Sequence, residues 1–114
     1  MVKNKTRGFQ WRDVEESEIE TMSKFELGQV VMTRTINETI AQNEQFAIDV
    51  VNAMAQYRNC DWGVTCEEDA EMNDNAVEYG DDRIFASYDT CEGNIWIITE
   101  WDRSATTILF SQEY

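Results

Sequence analysis

Apolar positions along this chain change period several times, and each change marks an element. Phe25 to Thr33 (FELGQVVMT) is rich in strand-forming residues, with Gly28 suggesting a bend or bulge; it predicts a first strand. A helical region follows, for which Asn37 and Asn43 are both candidate N-caps, each followed by Glu. From Phe46 the apolar residues recur as Phe46, Val50, Ala53, Met54 and Tyr57, one face of an amphipathic helix ending near Arg58. NCDWG reads as a loop with Asp61 and Gly63 as turn residues. Thr65 followed by Glu68 has the form of a capping box opening a second helix, which runs to about Tyr79 and stops at Gly80.

After Gly80 the period is that of strands. RIFASYD (83–89) alternates, and Glu92-Gly93-Asn94 predicts a turn. IWIITE (95–100) is nearly continuous in apolar residues, as a central strand is, so Trp96 is expected in the core. Asp102-Arg103-Ser104 predicts another turn, and ATTILF (105–110) a last strand pairing back. The order is β-α-α-β-β-β. It implies an α+β domain, a four-stranded, mostly antiparallel sheet with two helices on one face. Residues 1–24 are polar and poorly periodic, with Phe9 and Trp11 as isolated anchors and a short helix capped by Ser17 over VEESEIETM. They are expected to form a partly flexible extension to a single domain over 25–114, with Met22 an alternative start.

Composition supports a folded chain. Among 114 residues there are five Phe, four Tyr and four Trp, too many aromatics for a disordered polymer. No apolar run nears the ~20 residues of a membrane span. The basic start MVKNKTRGFQWR lacks the apolar stretch of a secretory signal, so a cytoplasmic location is expected.

Charge changes the picture most. The net charge is −14, from nine basic and twenty-three acidic residues. Lys3, Lys5, Arg7 and Arg12 lie in the first twelve residues, where there is no acid, so the rest is still more negative. Such a domain repels nucleic acid and anionic membrane and is drawn to basic protein surfaces. Excess acid also simply keeps a domain soluble, as monomer or homodimer. The acid is densest on the second helix and the loop after it: Glu67, Glu68, Glu71, Asp74, Glu78, Asp81 and Asp82, with Asp69 among them. Glu67 and Glu71, and Asp74 and Glu78, are i, i+4 like-charge pairs that cost a few tenths of a kcal/mol each, a cost that a basic partner would relieve.

Candidate chemistry is sparse. Histidine is absent, which removes the commonest general base and metal ligand. Glu100, Asp102 and Arg103 sit together at a turn and could serve a carboxylate enzyme, but ordinary turn chemistry, with Arg103 paired to a local carboxylate, accounts for them better. Cys60, Cys66 and Cys91 lack knuckle spacing for zinc and read as reduced thiols. Asp69, Glu71 and Asn73 begin like a calcium loop, but Asp74 and Gly80 stand where its Gly and Glu are required. No metal, cofactor or catalytic residue is therefore expected. Trp62 and Trp101, beside turns and acids, are candidate anchors for a protein partner; filling an edge of the core is the alternative.

CDWG (60–63), EED with Asn73 (67–69), RIFASY (83–88), IWIITEWDRSATTILF (95–110) and the final EY (113–114) together resemble a group of small bacterial proteins described as plasmid-related or mobile-element proteins of unknown function. The resemblance covers about Phe25 to Tyr114, and IWIITE with DRS and TTIL is its most specific part. Residues 1–21 lie outside it, Trp101 stands where a small residue is expected, and Ser111-Gln112 replaces a proline-containing end. The resemblance implies a setting on mobile elements and brings no catalytic residues. Small acidic proteins from such elements often counter host defences, some by presenting carboxylates to a groove that holds nucleic acid. The expectation is an inhibitor of anti-CRISPR or anti-restriction type. An accessory that binds a replication, partition or transfer factor, and a carboxylate hydrolase, are the alternatives.

Overall fold

The computed structural model describes residues 23–114. Strand β1 (Gln29–Met32) is followed by helices α1 (Arg34–Gln42), α2 (Glu44–Arg58) and α3 (Glu67–Tyr79), then strands β2 (Ile84–Thr90), β3 (Gly93–Thr99) and β4 (Ala105–Phe110), and a final 3-10 turn over Ser111–Glu113. The helix and anchors expected before Ser23 lie outside the described residues. The α+β class and the four-stranded sheet are as expected. Its order is β1-β4-β3-β2, antiparallel except for the parallel pair β1–β4.

The helical region before residue 59 is two helices. Asn43 divides them: its amide donates to Thr39 O at the end of α1, while its side chain accepts from the Phe46 amide to start α2. Asn37, the other candidate cap, lies inside α1, because the Thr33 hydroxyl already accepts from the Ile36 amide. On α2 the predicted stripe is the buried one, with Phe46, Val50, Ala53 and Tyr57 facing the sheet.

The sheet face under α1 and α2 carries Ile84, Ala86, Tyr88, Ile95, Ile97, Thr99, Thr106 and Ile108, all buried. A buried hydrogen-bonded chain crosses it. Thr106 donates to Leu27 O at 2.7 Å, so it accepts from Thr99, also at 2.7 Å, and Thr99 in turn accepts from the Tyr57 hydroxyl at 2.7 Å. Three hydroxyls thus satisfy one another where water cannot reach, and they tie α2, β3, β4 and the segment before β1 together. Trp96 is not in this core. Strand alternation puts it on the opposite face, half-buried, edge-on to Phe85 with centroids 4.9 Å apart and 5.1 Å from Tyr114.

Strand β2 ends the sheet, and its outer edge is covered. Asn73, buried on α3, accepts from the Phe85 amide at 3.0 Å and donates to Phe85 O at 2.6 Å. Two residues on, the Ser87 amide donates to the Thr65 hydroxyl and Ser87 O accepts from Val64 N. Thr65 is therefore spent on the strand edge and does not cap α3: the N-cap is Cys66, with no side-chain hydrogen bond. At the other end Gly80, at φ 69°, terminates α3 as its sequence position suggested. The hairpin turn falls at Cys91-Glu92, with Gly93 at φ 114° already pairing with Thr90.

Candidate acidic interface

Helix α3 has an inner side of Ala70, Asn73, Ala76 and Val77, set against β2 and the core. That small-residue side lets the helix lie close to the strand edge and turns its acids outward. Glu67, Glu68, Glu71 and Glu78 are exposed, as are Asp81 and Asp82 in the loop that follows. Among the described residues none of these carboxylates forms an ion pair, the one described pair being Arg34–Glu38 on α1. No basic residue lies in the last turn of α3, so the helix's own sequence sets nothing beside Glu78 against the negative end of the helix dipole.

Two expected members of the face have other duties. The Asp74 carboxylate accepts the indole N–H of Trp62 at 2.8 Å. Trp62 is buried, edge-on to Tyr57 at 5.6 Å, and so is a core residue and no anchor for a partner. Trp101 is different: it is 64 % exposed at the β3–β4 turn.

That turn is built by its own side chains. Asp102 accepts from Ser104, whose hydroxyl and amide together hold the carboxyl below its ordinary range. Arg103 sits at φ 60° and, among the described residues, forms no ion pair with a carboxylate. Its guanidinium instead donates to four main-chain carbonyls, Asp82 O at 2.7 Å, Ala76 O at 2.9 Å, and Glu100 O and Trp101 O at 3.2 Å. A planar fork with five donors suits this role, and a lysine could not copy it. Ala76 O belongs to the last turn of α3, so Arg103 supplies the positive group that the helix end lacks in its own sequence. The same bonds carry exposed Glu100, Trp101 and Asp102 to the C-terminal end of the acidic helix. Two candidate sites far apart in the chain thus become one surface.

Between α3 and the outer sheet face lies a groove of about 250 Å³. Phe85, Trp96, Ile98 and Tyr114 form its apolar side, with Asp69, Met72, Asp82 and Arg83 around it. Arg83 donates to the Tyr114 hydroxyl at 3.2 Å. The chain pattern missed this groove, because Trp96 reads as a core position and only the sheet shows that it shares the outer face with Phe85. The thiols of Cys60, Cys66 and Cys91 are free. Among the described residues no three Cys, Asp or Glu converge as a metal site, and no helix is long and apolar enough to cross a membrane. No family model, curated protein or solved structure matches the chain.

Proposed function

We propose that this chain is an acidic binding protein that occupies a basic, nucleic-acid-binding surface of a host defence complex of CRISPR or restriction type, acting in the cytoplasm. The observation that carries the reading is the outward row of carboxylates on α3 and its loop, unpaired among the described residues and joined by Arg103 to the Trp101 turn. Lys and Arg side chains that normally neutralise phosphates would meet Glu67, Glu68, Glu71, Glu78, Asp81 and Asp82 in their place. Each exposed charge pair contributes only about 0.2–1 kcal/mol, so affinity needs several at once, together with an apolar anchor such as Trp101. The mobile-element setting rests on the resemblance of the IWIITE, DRS and TTIL segments. A carboxylate hydrolase centred on Glu100 and Asp102 has less support, since Asp102 and Arg103 are engaged in holding the turn.

The test is survival of a phage or plasmid in hosts with an active defence, with and without the gene. Protection is expected, and the quadruple variant Glu67→Gln, Glu68→Gln, Glu71→Gln, Glu78→Gln should lose it while keeping its fold. No protection against any nucleic-acid-targeting defence, or equal protection by the Gln variant, would sink the proposal. Survival of the element without defence, but only in the presence of the gene, would point to the replication, partition or transfer role.

A further inference from the structure

The two edges of the sheet are treated in opposite ways. On β2 the outward amides and carbonyls of Phe85 and Ser87 are taken up by Asn73, Thr65 and Val64. On β1 nothing among the described residues does the same. Gln29 N and Thr33 N donate to Ser104 O and Ile108 O of the β4 side, and strand alternation adds Val31 to that set. Val30 and Met32 therefore aim their N–H and C=O groups away from the sheet. Val30, Val31 and Met32 are 44 %, 37 % and 39 % exposed, three consecutive apolar residues on an open edge. Natural edges are usually guarded by a lysine, a proline or a bulge, and Gln29–Met32 has none of them.

Among the described residues, the chain on either side of β1 leaves this edge clear. Before it, Leu27 O accepts from Thr106 on the helix-bearing face, and Phe25 packs edge-on against Tyr57 at 5.3 Å. After it, α1 turns inward over β4. Both flanks thus run over the domain's own sheet.

We propose that β1 is the contact through which two copies of this chain pair, strand against strand and antiparallel, about a two-fold axis at Val31. In that register Val30 of one copy forms a hydrogen-bonded pair with Met32 of the other, and Met32 with Val30, which uses every outward group of the strand. Val31 meets its own copy on the axis. The pairing is isologous, so it closes at two and does not propagate. Charge fits as well. Gln29–Met32 carries no charged residue, so two copies meet along it with no like charges opposed. The product is an eight-stranded sheet with an acidic α3 at each far end. Seven strand spacings separate the two β2 strands, roughly 34 Å, so the helices lie several Debye lengths apart and hardly oppose assembly.

Sedimentation of the full chain across a wide concentration range tests this. Wild type should rise from one chain mass, 13.3 kDa, toward twice that value. Val31→Lys, which sets like charges on the axis, should stay at one mass, and Val31→Thr should dimerise as wild type does. Val30→Pro removes only an outward N–H and should also remain at one mass, with an unchanged near-UV spectrum. Wild type at one mass at the highest concentration, or Val31→Lys and Val30→Pro dimerising as well as wild type, would overturn the proposal. Because the edge is uncharged, dimerisation should survive added salt that weakens contacts of the acidic face, so the two readings fail separately.

Discussion

Asn73 and Arg103 hold the acidic surface in place, each through main-chain contacts that its place in the sequence does not suggest. Asn73 serves one donor and one acceptor of Phe85 from a buried position. Asn73→Ala leaves both without that partner and should cost about 2–3 kcal/mol in urea unfolding. Arg103→Lys should lose most of what Arg103→Ala loses, about 1–3 kcal/mol, since the fork and not the charge makes the four contacts. Gly28 is at φ 63°, and an added Cβ would lie 2.3 Å from Arg103 O, a main-chain atom that cannot easily move. Gly28→Ala should therefore disturb the turn more than Gly80→Ala, where the backbone is also left-handed but the space is open. Burial pushes the hydroxyls of Tyr57 and Tyr88 far above the ordinary value of 10.0. The unfolded chain ionises first. Their contribution to stability is thus complete below pH ~10 and falls as pH rises beyond it. A pH series of melting temperatures should show this alkaline loss, and it should be smaller in Tyr57→Phe.

At the scale of elements, α3 trades stability for its surface. Its first turn holds Glu67, Glu68 and Asp69, which suit the helix dipole, but Glu78 at the other end opposes it. Glu78→Lys should raise stability by about 0.3–1 kcal/mol, measured by chemical denaturation, and should weaken binding to the basic partner. If the same change strengthened partner binding, α3 would not be the contact. The capping box expected at Thr65 illustrates how an edge strand can outbid a helix end for one hydroxyl: the Ser87 amide, on a strand edge, takes the Thr65 oxygen, while α3 can start with its first amides toward solvent.

Across the whole molecule the net charge of −14 acts against folding through self-repulsion. Moderate salt should raise the melting temperature, and the increase should shrink in the quadruple Gln variant. The same salt should weaken partner binding, because those contacts are exposed and screened over about 8–10 Å. Opposite responses of stability and binding to one variable would separate the two roles of the acid.

Periodicity alone was enough for the stripe of α2, the meander of the last three strands, the stop at Gly80 and the concentration of acid on α3. Each of these depends on neighbours within a few residues, where spacing and turn chemistry decide. The parallel pairing of β1 with β4, the place of Trp96 on the outer face, the burial of Trp62 against Asp74 and the four-carbonyl role of Arg103 depend on residues far apart in the chain. In those cases a side chain could satisfy itself in several ways locally, and only the assembled sheet decided which unpaired backbone group or apolar face lay within its reach.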